Sequence, residues 1–95
     1  MIQIKPKYSR ISRVIVVPDG YIILESYGAE VNLKPYLYKI DLAGQLVWEQ
    51  GHPDPKNHQF SNLFLVENNV FVYDGTGEAR LNPQTGELTD WVMTK

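Results

Sequence analysis

Two histidines and an aspartate lie close together in one short stretch of the sequence. His52, Asp54 and His58 carry imidazole and carboxylate groups, which are common ligands of divalent metals. The six-residue separation of the histidines fits no compact metal motif, and Pro53 and Pro55 favour an exposed linker. We therefore predict two solvated loop histidines, with no metal and no other cofactor.

A second stretch with chemical potential places two glycines between acidic residues. Residues 74–78 read Asp-Gly-Thr-Gly-Glu, which superficially resembles a phosphate-binding loop. Such loops use a lysine and a helix N-terminus to supply charge, and neither follows here. The serines lack a nucleophile-elbow context, and the absence of cysteine excludes thiolate chemistry. We predict a hairpin turn at residues 74–78 and a protein that is not an enzyme.

Aromatic side chains are the remaining candidates for recognition. Tyr27 and Tyr36 bracket a long loop, residues 28–35, and aromatic residues on an irregular loop are typical of recognition surfaces. The alternative is that the tyrosines fill gaps at the rim of the core and that the two tryptophans are apolar wedges. The candidate ligand- or partner-binding residues are Tyr27, Tyr36, Tyr38, Trp48 and Trp91.

The chain repeats itself, and this repeat predicts the elements that position the candidates. The run beginning at Ile11 aligns without a gap with the run beginning at Phe60, at an offset of 49 residues, and apolar residues meet apolar residues almost throughout. Gly44 aligns with Gly86 at an offset of 42. Internal repetition of this kind is typical of stacked or radial β architectures.

Short β-branched and aromatic runs, separated by turn residues, predict strands and no helix. Strands are expected at residues 13–17, 21–25, 36–41, 46–49, 63–66, 70–74, 78–81 and 87–92, and residues 2–5 are a candidate for a ninth. The predicted fold is all-β: two four-stranded antiparallel meander units that resemble propeller blades. A single domain, residues 1–95, would contain one unit at about 11–50, a proline-rich linker at 51–59 and a second unit at about 60–95. A small barrel or sandwich with the same strands is the alternative.

The first strands of the two units are continuously apolar at residues 14–17 and 63–66. Because successive strand residues point to opposite faces, both faces of these strands are expected to be covered. The third and fourth strands of each unit are expected to be wetter. Their polar interruptions are Lys39, Asp41, Glu49, Arg80, Thr89 and Asp90.

Residues 38–48 and 79–91 resemble the pyrroloquinoline-quinone-like β-propeller repeats, in which an apolar strand, an Asp-x-x-Thr-Gly turn and a short strand ending in tryptophan follow one another. The matching residues are Asp41, Gly44 and Trp48 in the first unit, and Asn82, Thr85, Gly86 and Trp91 in the second. The first unit lacks the threonine, and the second has asparagine for aspartate and its tryptophan one position late. The resemblance implies a propeller-type fold, and the quinone is not carried over because most such repeats bind none.

Two units cannot close a ring, because propellers use about four to eight blades. The chain is therefore expected to self-associate, as a dimer rather than a trimer, to fold its units face to face, or to complete another protein's sheet. A net charge of −2 gives no footprint for nucleic acid or a membrane surface. With no signal-peptide pattern or apolar span, a cytoplasmic location is expected.

Two hypotheses on function follow from these patterns. The first is a non-enzymatic interaction module that recognises a protein partner through the Tyr27–Tyr36 loop or through unpaired sheet edges. The alternative is a small-ligand binder of the carbohydrate type, in which Trp48, Trp91 and nearby tyrosines form stacking platforms.

Overall fold

The computed structural model describes residues 4–26, 35–54 and 57–93. Two four-stranded antiparallel sheets follow one another along the chain, each with its strands in sequence order. Sheet 1 consists of β1 (Arg10–Val17), β2 (Gly20–Ser26), β3 (Leu37–Asp41) and β4 (Leu46–Gln50). Sheet 2 consists of β5 (Asn62–Val66), β6 (Asn69–Tyr73), β7 (Gly77–Leu81) and β8 (Leu88–Met93). The predicted all-β fold of two meander units is confirmed.

The described ranges contain no helix that could cross a membrane. Ile4 and Lys5 lie outside any strand, so the described half of the ninth-strand candidate is not a strand. Residues 2 and 3, together with Tyr27 and residues 28–34 of the long loop, lie outside the described residues.

The turns of the two repeat motifs are built alike. Asp41 Oδ1 accepts hydrogen bonds from the backbone amides of Ala43 and Gln45, each at 2.9 Å. In the second unit, Asn82 Oδ1 accepts the amide of Gln84 at 2.9 Å. Gly44 and Gly86 follow with φ of 91° and 80°, which glycine adopts without a steric penalty. Each turn thus combines a capping side chain with a glycine at positive φ.

The two sheets pack face to face over one shared core. Alternate residues of each strand point into it, so Ile15 and Ile22 of sheet 1 meet Leu63 and Val72 of sheet 2. β1 lies against β5, and Arg13 Nε donates to the Leu63 carbonyl across the junction at 2.8 Å. The remaining core residues are Val17, Leu24, Leu37, Trp48, Phe60, Val70, Ala79 and Leu81.

Coverage of the first strands differs from the expectation. Val14 and Val16 of β1 are 38% and 68% exposed, and Leu65 and Val66 of β5 are also exposed. The expectation that both faces are covered is therefore wrong for β1 and β5, because the N-terminal residues pack on β2 and β3 of sheet 1 and no described segment lies on the outer face of sheet 2. The neighbouring strand β2 is instead the one covered on both faces, since its residues 22–25 are all buried.

The outer face of sheet 1 carries its own small apolar cluster. Ile23, Tyr38 and Ile40 are buried there, and Ile4 packs against them. Ile4 belongs to the N-terminal segment, residues 4–9, which precedes β1. Sheet 1 is thus covered on one side by sheet 2 and on the other, in part, by this segment.

Candidate functional site

Glu25 fastens the N-terminal segment to the outer face of sheet 1. Its buried carboxylate accepts the backbone amides of Lys7 (2.5 Å), Tyr8 (2.8 Å) and Ser9 (2.7 Å). The hydroxyl of Tyr38 donates a further hydrogen bond to Glu25 Oε2. A buried carboxylate costs free energy unless it is hydrogen-bonded, and these donors supply that compensation.

The electrostatics of this contact follow from the donors. Burial acts to raise the pKa of Glu25, but the hydrogen bonds from Tyr38 and from three backbone amides outweigh it and hold the pKa below its ordinary value. Burial and the adjacent carboxylate together raise the pKa of Tyr38 well above its ordinary value. The pair therefore remains an ionised acceptor and a neutral donor over the neutral pH range.

The second attachment of the N-terminal segment is at its exposed side. Lys7 Nζ forms an ion pair with Glu49 of β4, and the Tyr8 hydroxyl donates to the same carboxylate at 2.8 Å. The Tyr8 ring meets Tyr36 edge-on, with centroids 6.0 Å apart. Two of the predicted site residues, Tyr36 and Tyr38, are therefore buried in contact with the N-terminal segment or at its anchor.

A groove of about 390 Å³ opens beside the N-terminal segment. Ile23, Ile40 and Leu46 contribute its apolar lining, and Lys5 and Lys7 are the cations that line it. Its volume is within the range of small-molecule sites. No described polar group other than those of the segment, Tyr38 and the Gly44 backbone lines it.

His52 and Asp74 form a second buried ionisable pair, with side chains only 5% and 6% exposed. His52 Nε2 lies 2.8 Å from Asp74 Oδ2, and His52 Nδ1 accepts the backbone amide of Asp54 at 2.9 Å. Because Nδ1 acts as an acceptor, the hydrogen-bond pattern assigns the proton to Nε2, which donates to Asp74. The prediction of a solvated histidine at position 52 is wrong, since the side chain is folded inward against β6 and its following turn.

Asp74 is held by more than the histidine. Its Oδ1 accepts the backbone amides of Thr76 (2.9 Å) and Gly77 (2.8 Å). Burial acts to raise the pKa of Asp74, but the hydrogen bonds from His52, Thr76 and Gly77 hold it well below its ordinary value. The predicted turn between the second and third strands of the unit is present, with Asp74 as its cap, but it is limited to residues 74–76 because Gly77 and Glu78 belong to β7.

The surroundings of His52 are aromatic. Its ring lies 5.0 Å from that of Phe60, 5.5 Å from that of His58 and 5.7 Å from that of Trp91, measured between centroids. Both ring nitrogens of His52 are already engaged. Within the described ranges no group of three or more His, Cys, Asp or Glu residues is arranged to hold a metal ion.

Trp48 and Lys39 join the two sheets at one carbonyl. Trp48 Nε1 and Lys39 Nζ both donate to the Pro83 carbonyl, at 3.1 Å and 2.8 Å. Lys39 also pairs with Asp19 at 2.9 Å, and this hydrogen bond is the main cause of a lowered pKa at Asp19. Lys39 is only 1% exposed, so the expectation of a wet third strand is wrong for β3.

The two tryptophans that were predicted as binding residues, Trp48 and Trp91, thus lie in different environments. Trp48 is buried between the sheets, where it contacts the turn at Gly86. Trp91 is 43% exposed and lies beside His52. The structure does not bring the two tryptophans together with the tyrosines of the N-terminal contact into one site, and Tyr27 lies outside the described residues.

The outer face of sheet 2 differs from the outer face of sheet 1 in how far it is covered. No described segment covers it: Val66 and Val92 are 49% and 57% exposed. Phe64 and Phe71 stack on it with centroids 5.6 Å apart, and the Arg80 guanidinium lies 6.0 Å from the Phe71 centroid. We name this surface the open face. By strand alternation and register it comprises Asn62, Phe64, Val66, Asn69, Phe71, Tyr73, Glu78, Arg80, Thr89 and Val92.

Sequence reasoning did not identify the open face. The signal was present in the sequence, since Phe64 and Val66 alternate with the core residue Leu63 and its neighbour Leu65. It was masked because both alternating sets on β5 are apolar, which makes the two faces indistinguishable by pattern.

Comparison of the chain with protein-family models, curated proteins and solved structures finds no match. The resemblance to quinone-type propeller repeats therefore stays a prediction.

Proposed function

We propose that this chain is a non-enzymatic interaction module that recognises a protein partner through the open face of sheet 2. The observation that carries the proposal is the asymmetry between the two outer faces. The outer face of sheet 1 holds a segment of the chain itself, and the open face holds none among the described residues. An antiparallel sheet with one solvated face is normally polar on that side, whereas this face presents five apolar side chains.

The chemistry of the open face favours a protein partner. Phe64 and Phe71 form a rigid aromatic platform, and Arg80 lies near its edge. Aromatic and arginine side chains are enriched at protein interfaces and at the residues that dominate their binding energy. Glu78 and Arg80 give the face one charge of each sign, so the surface has no electrostatic preference for a polyanion.

The open face replaces the Tyr27–Tyr36 loop of the sequence hypothesis as the proposed primary contact. Tyr36 and Tyr38 are buried, and their exposed area is too small to anchor a partner. The sheet edges remain part of the proposal, because β8 borders the open face and exposes Trp91, Val92 and Met93. Exposed apolar edge strands are a common site for pairing with another chain.

Two further elements of the proposal come from the sequence. We propose that the two units derive from a propeller-type repeat. Two observations support this: β1 lies against β5, and both sheets have their four strands in sequence order. A cytoplasmic location is proposed from the absence of cysteine alone.

Carbohydrate binding remains the alternative, and Trp91 is the observation that favours it. Its exposed ring could stack on a sugar. Trp48 offers no such platform in this chain because it is buried between the sheets. The alternative therefore has one platform where the repeat predicted two.

Site-specific photo-crosslinking in the native cell tests the protein-recognition proposal. A photoreactive phenylalanine analogue is placed at Val66, on the open face, or at Leu42 as a control, which is equally exposed on the β3–β4 turn. We expect a discrete crosslinked protein species from position 66 and none from position 42. Equal yields of crosslinked species at the two positions, or none at either, would overturn the proposal.

A further inference from the structure

Sheet 1 is closed to a neighbour that would stack on its outer face. The N-terminal segment occupies that face through Ile4 and through the three backbone amides bound to Glu25. A ring of blades requires sheet 2 of one copy to stack on sheet 1 of the next. In this chain such head-to-tail stacking would first have to displace the segment and leave the Glu25 carboxylate buried without its amide donors.

The open face, in contrast, is complementary to itself. Glu78 and Arg80 lie two residues apart on β7, and both point outward. If two copies meet face to face about a two-fold axis that crosses β7 at Ala79, each Glu78 faces the Arg80 of the other copy. Two favourable pairs of opposite charge would form in this arrangement, because a two-fold symmetric contact contains every pair twice.

The aromatic residues follow the same register. Phe71 pairs with Arg80 and Tyr73 with Glu78 across β6 and β7. The same axis therefore places Phe71 opposite the Tyr73 of the other copy, an arrangement that buries both rings. The charged pair sets the alignment, and the aromatic pair supplies apolar area.

The size of the face determines how tight this contact can be. Four strands of five residues cover about 19 by 17 Å, or roughly 300 Å² in projection, at standard strand spacing and rise. Counted on both copies this is roughly 600 Å², well below the size of a standard stable interface and in the range of weak, transient contacts. We therefore expect a weak, reversible dimer.

We propose that the partner of the open face is a second copy of this chain, bound as a two-fold symmetric dimer in which Glu78 and Arg80 pair reciprocally. This inference depends on the proposed function, because it names the partner of the same face. It replaces the cyclic arrangement of blades that the repeat suggested with a closed pair.

Charge exchange tests the dimer with purified protein. Glu78→Arg and Arg80→Glu are each analysed by sedimentation velocity over a range of concentrations, alone and as an equimolar mixture. Each variant alone places like charges opposite each other, so we expect its dimer to be weaker by at least about tenfold. In the mixture every pair is again of opposite charge, and we expect a one-to-one heterodimer of wild-type strength.

Two controls make the result specific. Glu87→Arg makes the same charge change at an exposed position of the β7–β8 turn and should leave the dimer unchanged. Val92→Glu places a charge on the open face and should weaken the dimer without rescue by either charge variant. Circular dichroism confirms that each variant keeps its strands.

The outcomes separate the two proposals. A wild-type protein that stays monomeric at about 1 mM overturns the dimer, and the crosslinking at position 66 then decides whether another protein uses the face. A dimer that mixing fails to restore overturns the two-fold geometry. Weakening by Glu87→Arg to the same extent as by Glu78→Arg would also overturn it.

Discussion

Glu25 and Asp74 occupy the same position in the two repeat units, and each carboxylate fastens the segment that precedes the first strand of its unit. Glu25 does so by accepting the amides of Lys7, Tyr8 and Ser9. Asp74 does so by accepting the imidazole N–H of His52. The repeat therefore conserves an acidic anchor at the end of the second strand, while the group it binds has changed from backbone to side chain.

Replacement of Glu25 by glutamine should loosen the N-terminal segment. The neutral amide is a weaker acceptor. Its NH₂ group must also face either the amides of Tyr8 and Ser9 or the amide of Lys7, which are all donors. Hydrogen bonds to charged groups contribute about 1.5–3 kcal/mol each, so we expect Glu25→Gln to lower the free energy of unfolding by about 2 kcal/mol, measured by urea denaturation. Amide exchange at Lys7, Tyr8 and Ser9 should accelerate in the same variant.

The matched control is Glu49→Gln, which removes the exposed partner of Lys7. Exposed ion pairs contribute little, so its effect should stay below about 1 kcal/mol. A Glu25→Gln protein as stable as the Glu49→Gln protein, with unchanged amide exchange, would show that Glu25 is not the anchor.

Acid should destabilise the fold through the same two carboxylates. The ordinary pKa values are 4.5 for Glu25 and 3.8 for Asp74, and both are lowered in the folded state. The unfolded chain therefore binds protons at a higher pH than the native one. The stabilisation by both groups is fully present above about pH 5 and is lost as the pH falls through the lowered values.

We expect the midpoint of thermal unfolding to fall steeply between about pH 5 and pH 2 in the wild type. The decline should be shallower in the Glu25→Gln, Asp74→Asn double variant, which is less stable at neutral pH but has lost both titrating anchors. Parallel curves for the two proteins would mean that other carboxylates carry the acid sensitivity.

Much of the fold could be predicted because its signals are local. The turns that begin at Asp41 and Asn82 follow from residue types that bind their own turn amides. The alignment that places Ile11 opposite Phe60 also places Glu25 opposite Asp74, so the shared anchor position is readable from the sequence. Strand bounds differ from the predicted ones mainly at their ends, as at β1, which begins at Arg10.

The contacts that could not be predicted join residues distant in sequence. A lysine in a strand is normally expected to face solvent. Lys39 is buried because the packed sheets bring its ammonium group to the Pro83 carbonyl and to Asp19. By residue type and position His52 resembles a loop ligand, and its partner Asp74 lies 22 residues away, in the second hairpin turn of the second unit. The environments of Lys39 and His52 are therefore determined by how the chain folds back on itself, and not by the residues next to them in the sequence.

His52 should carry a ring proton on Nε2 and none on Nδ1. This tautomer is required if Nδ1 accepts the Asp54 amide while Nε2 donates to Asp74. Nitrogen chemical shifts from long-range ¹H–¹⁵N correlation distinguish it from the other tautomer and from the imidazolium at pH 7. His58, which is half-buried, provides an internal comparison in the same spectrum.

Variants of His52 should separate the hydrogen bond from the packing. His52→Gln retains an N–H near the position of Nε2, whereas His52→Ala removes the donor and leaves a cavity beside Phe60. We expect the alanine variant to lose about 2–3 kcal/mol of unfolding free energy and the glutamine variant less. Equal losses would indicate that the bond to Asp74 contributes little.

The two tryptophans should respond differently to a soluble quencher. Iodide should quench only Trp91 in the folded protein, because Trp48 is buried. In Trp91→Phe, the remaining emission should be blue-shifted and insensitive to iodide until urea unfolds the chain. Full accessibility of Trp48 in the folded Trp91→Phe protein would contradict the packing of the two sheets and would restore the second stacking platform of the carbohydrate hypothesis.

Gly86 should be harder to replace than Gly75, because two costs combine there. Its φ of 80° is unfavourable for any side chain, and a Cβ atom would lie 2.7 Å from the Trp48 ring.

Gly75 provides the matched control, since its φ is 93° but a Cβ atom there would meet nothing within 4 Å. Gly75→Ala should cost about 1–2 kcal/mol, the price of the left-handed conformation alone. Gly86→Ala should cost about 1–3 kcal/mol more, because the indole must move within a packed junction and its hydrogen bond to Pro83 would be strained. Urea denaturation of both variants measures the difference. Equal destabilisation would show that Trp48 yields freely, and the contact between the two sheets at this turn would then contribute little to the fold.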